Sequence, residues 1–376
     1  MIRLKEPPFT HDIVGSFLRP ARLKQARANA ESGTITRDEL TRIENEWITE
    51  LIHKEKEKEN GLYAFTDGEF RRAFWHLDFM AALTGCTTAA AEHWSVAFKG
   101  RQPKATNLKI IGRLDFPEDH PFLNHFRFIH QFEDASHIAK QTIPSPSMVH
   151  LMTCVRVNPD LPEVYQNNED LFFEDLIRTY RKALRAFYDA GCRYLQLDDT
   201  SWGEFCSSEK TEAYRKRGYD IPSIQKKYVH VINEILKDKP EDLTVTMHIC
   251  RGNFRSTWFS SGGYEPVAPT LFANCHVDGF FLEYDSDRAG GFEPLRYIDN
   301  QVVVLGLVTS KTPELEDEDA IKERIREASH YVPLEQLRLS PQCGFASTEE
   351  GNILTEDDQW RKIRLIRQIA EDIWKK

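Results

Sequence analysis

Four residues, His248, Cys250, Glu283 and Cys343, carry donor atoms that suit a soft metal ion, and each stands near the end of an apolar, strand-like run. His248 and Cys250 lie in Thr-Val-Thr-Met-His-Ile-Cys. Two residues apart on a strand, they leave the same face and can reach one ion. Glu283 follows Gly-Phe-Phe-Leu, and Cys343 follows Leu-Arg-Leu-Ser-Pro-Gln. One imidazole nitrogen, one carboxylate oxygen and two thiolates suit tetrahedral Zn2+. Taken singly, a histidine or cysteine on a strand is more often a packed core residue. The argument for a metal rests on all four together. Structural zinc sites usually gather close cysteine pairs in loops, whereas ligands dispersed over strand ends fit a catalytic centre better.

Two carboxylate-bearing segments and one turn could serve the same centre. Thr66-Asp67-Gly68-Glu69-Phe70-Arg71-Arg72 follows one strand-like run, and Gln196-Leu197-Asp198-Asp199 ends another. Carboxylates there could hold a substrate ammonium as a charge-assisted pair. The plainer alternative is that Asp67 and Asp199 cap following helices while Arg71 and Arg72 pair with them. Val14-Gly15-Ser16 offers backbone N–H groups and a hydroxyl, which suit a carboxylate but are also ordinary turn chemistry.

The elements that must position these groups alternate in type. Strand-like runs fall at 11–17, 63–67, 141–151, 194–198, 243–250, 279–283, 302–309 and 337–340. Helical periodicity appears over 38–58, 170–190, 223–237, 317–330 and 355–375. Eight such units predict an α/β fold, a (β/α)8 TIM-type barrel, with chemistry at the C-terminal strand ends. All four metal-type residues lie at such ends, on strands five, six and eight. A doubly wound open sheet is the second architecture, but it would not bring those strands together so readily. The segment 84–139 breaks the alternation, with strand-like runs at 94–98 and 108–114. It predicts an insertion after strand two, a β-hairpin or small subdomain over the barrel mouth, within one catalytic domain spanning 1–376.

Composition narrows the partners. The chain has 49 Lys plus Arg against 59 Asp plus Glu, a net charge of −10, which argues against nucleic acid or an anionic membrane surface. No run approaches the length of a membrane span, and the first residues show no apolar signal core. Seven cysteines without close pairing fit a reducing, cytoplasmic setting, with Cys86, Cys154, Cys192, Cys206 and Cys275 as free thiols. The sequence leaves the oligomeric state open.

These motifs resemble the catalytic zinc barrel of the cobalamin-independent methionine synthase family. His248-x-Cys250, Glu283 and Pro341-Gln342-Cys343-Gly344 are similar to its zinc ligands. Val14-Gly15-Ser16 resembles its carboxylate-binding turn, Gly68-Glu69 its amino-binding motif, and Gln196-Leu197-Asp198-Asp199 its Gln-x-Asp-Glu segment. The length resembles the short, single-barrel members. The resemblance implies a zinc-dependent methyltransferase of methionine biosynthesis that moves a methyl group to the thiol of homocysteine. The implied donor is 5-methyltetrahydrofolate or its polyglutamate, and the partners are these small molecules. Val14, Gly15, Ser16, Glu69 and Asp198 would bind the amino acid. Lys311 stands where the family carries a catalytic histidine and is the candidate acid. The 144–148 loop lacks the family's pterin-stacking tryptophan. Zinc–thiolate alkyl transfer with another donor or acceptor is the nearest alternative. A uroporphyrinogen-type decarboxylase and a non-catalytic zinc-storage protein are more distant ones. Four protein ligands imply that an incoming thiolate displaces one, and Glu283, the only hard donor, is the expected one to yield.

Overall fold

The structure is a computed structural model, and it describes residues 6–90 and 106–374. Nine strands are present among these residues: β1 (Ala64–Phe65), β2 (Thr84–Ala90), β3 (Thr106–Asp115), β4 (Ile138–Pro144), β5 (Tyr194–Asp199), β6 (Thr244–Ile249), β7 (Gly279–Glu283), β8 (Val302–Val308) and β9 (Leu337–Pro341). Seven form one curled parallel sheet in the order β1-β4-β5-β6-β7-β8-β9. Their sequences are nearly continuous apolar runs, such as Gly-Phe-Phe-Leu-Glu and Val-Val-Val-Leu-Gly-Leu-Val. Strands buried on both faces require that composition.

The N-terminal segment closes the curl into a TIM-type (β/α)8 barrel. His11 forms a parallel bridge with Leu339 of β9. Its neighbours add Asp12 N–H to Leu339 O and Leu339 N–H to Thr10 O, both at 3.0 Å. On the other side, Phe17 N–H donates to Gly68 O at 3.1 Å and Thr66 Oγ1 donates to Gly15 O at 2.6 Å. The expected first strand over 11–17 is thus a short bridged stretch, because Gly15 (φ +149°) takes the backbone out of strand geometry.

Helices cover the outside. Arg37–Lys56 starts at a capping box, with Thr36 and Glu39 each satisfying the other's backbone N–H. Ile221–Leu236 starts at an Asp220 cap with a proline in its first turn. The helix Glu169–Asp189 starts at an Asn168 cap. The expectation of a strand over 141–151 is too long. β4 stops at Pro144, and Pro146 opens the buried helix Pro146–His150, followed by a π-helical turn, Leu151–Val155. An apolar helix buried on all sides reads like a strand in sequence.

The insertion is a hairpin whose pairing differs from expectation. β3 pairs antiparallel with β2, from Thr84↔Asp115 to Ala90↔Thr106. The 94–98 run lies outside the described residues. The described part of the hairpin packs against the helix Glu169–Asp189. Arg113 donates to both carboxylate oxygens of Asp175, and Lys182 pairs with Asp115, which fixes β3 along Glu169–Asp189. The helix Pro121–His130 then leads into β4.

Inside the barrel, a polar column runs up the axis. At the bottom, buried Lys140 donates to Asp12 at 3.2 Å, sits 4.0 Å from the Phe281 ring centroid, and Tyr194 Oη donates to Asp12 at 2.8 Å. Above it, Gln196 Nε2 donates to Val14 O and Asp198 Oδ1. At the top, Asp198 and His248 stand side by side in register on β5 and β6.

Candidate metal and amino-acid site

The four metal-type side chains meet. One donor atom from each of His248, Cys250, Glu283 and Cys343 lies within 4.8 Å of all the others, and all four residues are buried. The two sulfurs are 3.7 Å apart. Two thiolates bound to one tetrahedral zinc at the usual bond length lie about 3.8 Å apart. Among the described residues, neither ring nitrogen of His248 has a hydrogen-bond partner. A buried imidazole nitrogen left bare is costly, and a metal ion held by this cluster would occupy one of the two. The donor set and its spacing fit zinc.

Charge around the cluster supports the same use. The contact between the two sulfurs holds Cys343 well below the ordinary thiol range and pushes Cys250 well above it. Burial alone would raise Glu283, but Arg288, Lys311 and His248 outweigh it and hold the carboxyl below its usual range. Arg251, next to Cys250, is fully buried, and among the described residues none of its guanidinium nitrogens has a hydrogen-bond partner. Its guanidinium lies 4.4 Å from the Tyr264 ring centroid, and its own backbone N–H donates to Glu283 Oε1 at 2.9 Å.

A pocket opens beside this cluster. His248, Cys250 and Cys343 line it together with Val14, Ser16, Glu69 and Asp198. Glu69 is held at φ +59° in the turn after β1. Its Oε1 accepts from Thr142 Oγ1 at 3.0 Å and Arg72 Nη1 at 3.2 Å, while its buried Oε2 has no partner. Burial raises Glu69 despite Arg72 and Arg19, and burial lifts Asp198 to about 7 against the opposing charge of His248. Two desolvated carboxylates flanking one cavity would gain from a bound ammonium.

Gly15 and Gly344 make this geometry possible. A β-carbon on Gly15 would stand 2.8 Å from Thr142 Cγ2, in a backbone conformation that side chains rarely adopt. One on Gly344 would stand 1.9 Å from Ser16 Oγ. The Ser16 hydroxyl accepts Ala346 N–H at 3.2 Å, and Ser16 O accepts Phe345 N–H at 2.9 Å, so the first strand position and the Cys343 loop are laced together.

Lys311 lies behind the pocket wall. Its ammonium donates to Asn253 Oδ1 at 2.9 Å, and Asn253 Nδ2 donates to Gly344 O and Ser347 Oγ at 2.7 and 3.0 Å. Asp199 follows the plainer alternative, whereas the turn after Asp67 opens no helix, and Arg71 and Arg72 pair with Glu44 and Glu69 in place of the aspartates. Asp67 accepts Glu69 N–H at 2.8 Å, and Asp199 accepts Ser201 N–H at 2.6 Å at the start of a helical turn.

Sequence reasoning passed over Trp75 and Ser347, which also line the pocket, and Arg19 and Arg288. Arg19 donates to the carbonyls of Glu69, Arg72, Ala346 and Thr348, binding the Glu69 turn to the Cys343 loop. The one available signal was position: Trp75 follows Arg71-Arg72 closely, and Ser347 stands four residues after Cys343.

Residues 9–370 match the family model described as the cobalamin-independent synthase catalytic domain. The chain belongs to this family. The Bacillus subtilis protein YxjG is 48% identical over 377 residues, covering 100% of this chain and 97% of that protein. A Listeria monocytogenes structure, solved as a candidate vitamin-B12 independent methionine synthase, is 46% identical with a TM-score of 0.79, covering 99% of each chain. A B12-independent methionine synthase from Shewanella sp. W3-18-1, solved with selenomethionine, has a TM-score of 0.69 at 16% identity over 97% of each chain, a likeness of fold. No helix among the described residues is long and apolar enough to cross a membrane.

Proposed function

We propose that this family member is a zinc-dependent methyltransferase that moves a methyl group to the thiol of homocysteine, forming methionine. The proposed donor is 5-methyltetrahydrofolate or its polyglutamate. The observation that carries the reading is the shared pocket, where the His248, Cys250 and Cys343 donors face Ser16, Glu69 and Asp198. An amino acid with a thiol side chain is the ligand that uses both sides at once.

His248, Cys250, Glu283 and Cys343 would hold the zinc. When bound, the ion lowers the pKa of a thiol and favours thiolate near neutral pH. Glu69 and Asp198 pair with the ammonium, and the Gly15–Ser16 turn holds the carboxylate. Fixing both ends of the amino acid aims its sulfur at the donor methyl, a proximity effect. The S–C bond forms as the N–C bond breaks, and the leaving nitrogen takes a proton. Lys311 is the proposed proton source, acting from behind Asn253. The setting proposed for this chemistry is the cytoplasm.

One observation favours a second donor class. The loop after β4 carries no aromatic residue, and Ser145, Pro146, Ser147 and Met148 are all buried, with Ser147 bonded to Asp199. A planar donor finds no stacking surface there, which supports zinc–thiolate alkyl transfer from a different methyl compound. The deciding experiment is a methyl-transfer assay on zinc-quantified protein with homocysteine and 5-methyltetrahydrofolate, following methionine. Methionine formation that disappears in Cys250→Ser supports the first reading. Stoichiometric homocysteine binding without turnover moves the donor to the second.

A further inference from the structure

Glu283 is the one oxygen donor of the cluster, and its carboxylate is gripped from both sides. Oε1 accepts the Arg251 backbone N–H, and Oε2 accepts from Arg288 Nη2, each at 2.9 Å. The same Nη2 donates to Asp285 Oδ1 at 2.8 Å. Arg288 Cζ lies 5.0 Å from the Trp258 ring centroid, and Arg288 O accepts Gly262 N–H at 2.8 Å. Trp258 and Gly262 belong to the loop after Cys250, while Arg288 sits in the turn Asp287–Ala289 after Glu283. One residue therefore joins the two loops that follow three of the four ligands.

The geometry points to Arg288 as a positioning residue that aims the Glu283 carboxylate at the metal centre, with the Trp258 ring keeping the guanidinium in place. This rests on the zinc reading above. A carboxylate free to rotate presents either oxygen in many directions. Hydrogen bonds to both oxygens leave it one direction in which to offer a lone pair. Groups that orient a ligand in this way typically change metal affinity by about 10–100-fold when removed. Charge acts in the same sense. Two thiolates and a carboxylate bring three negative charges to a divalent ion, and a guanidinium at the carboxylate offsets the excess. A planar guanidinium also packs flat on an indole, which a lysine ammonium cannot reproduce.

The test is zinc affinity, measured by competition with a chromogenic chelator on Arg288→Gln, Arg288→Lys and Trp258→Ala. Arg288→Gln is expected to bind zinc about 10–100-fold more weakly. Arg288→Lys should fall between it and the unmodified chain, and Trp258→Ala should shift less in the same direction. The visible absorption of cobalt-loaded Arg288→Gln should also change, because the ligand geometry changes and not only the occupancy. Affinity within twofold of the unmodified chain for Arg288→Gln overturns the inference, as does unmodified affinity for Arg288→Lys. Should Arg288→Gln fail to fold, Arg288→Lys carries the test by the same criterion. Loss of zinc binding by the unmodified chain would sink the zinc reading itself. Tight zinc in both the unmodified chain and Arg288→Gln would sink this inference alone.

Discussion

The two sides of the pocket are built on opposite plans. On the ligand side, His248 has no protein partner for either ring nitrogen, and the two sulfurs have chiefly one another. On the amino-acid side, Glu69 is braced by Thr142 and Arg72, Asp198 by Gln196, and Ser16 by Ala346. The first side is incomplete as protein and calls for a metal. The second is more nearly complete, and among the described residues its buried, unpartnered Glu69 Oε2 is a place for something cationic. Incompleteness marks where chemistry is supplied from outside. Bracing marks where a substrate is only held. Arg19, with four carbonyl partners across both loops, keeps the two plans at a fixed spacing.

Substitutions should separate the two sides by the kind of defect, not only its size. The largest effect is expected for Cys343→Ser, which removes one of four donors and should weaken zinc by on the order of a hundredfold or more, with turnover lost in proportion. Atomic emission on dialysed protein measures it, and full zinc with full turnover would refute the ligand assignment. Lys311→Met should lower kcat by roughly a hundredfold, the low end for a lost general acid, while zinc content stays whole. Single-turnover methyl transfer reads that step. Glu69→Gln should leave zinc and kcat near their starting values and weaken homocysteine by about 2 kcal/mol, roughly thirtyfold, as a buried ion pair loses one charge. A titration of zinc-loaded protein with homocysteine checks it, and a zinc defect in this variant would dissolve the distinction between the sides. Ser16→Ala should show the smallest change, about 1 kcal/mol in acceptor affinity, one hydrogen bond's worth.

The contrast also explains what could be read from the chain before its fold was known. Ligand residues announce themselves by type, so His248, Cys250, Glu283 and Cys343 stood out as soon as they fell at strand ends. β7 is legible to the residue because a strand buried on both faces must be apolar throughout. The amino-acid side uses ordinary residues in ordinary turns, so residue types could offer the segments around Ser16, Glu69 and Asp198 only beside a plainer alternative, and the family resemblance chose among them. Nothing in spacing could give Arg19 or Arg288, whose partners lie on other loops or beyond a turn. The 141–151 run misled because Pro146–His150 is buried on every side and has no polar face to reveal its period. The first strand was overdrawn because its closure uses one bridge and a few single bonds instead of a ladder. The hairpin partner of β3 was misassigned because β2, Thr-Gly-Cys-Thr-Thr-Ala-Ala, is small and polar and owes its pairing to its neighbour.

The column at the barrel's base has a kinetic meaning. Lys140, clamped by Asp12 and lying over the Phe281 ring, fills the floor of the barrel beneath the pocket. With that floor filled, both reactants of the proposed reaction are expected to come from the C-terminal mouth of the barrel. On the proposed reading the small thiol occupies the deeper berth and must enter before the bulky donor. Its methylated form must wait until the spent donor has gone. Initial-rate patterns should therefore be ordered, with product methionine competing against homocysteine and not against the donor.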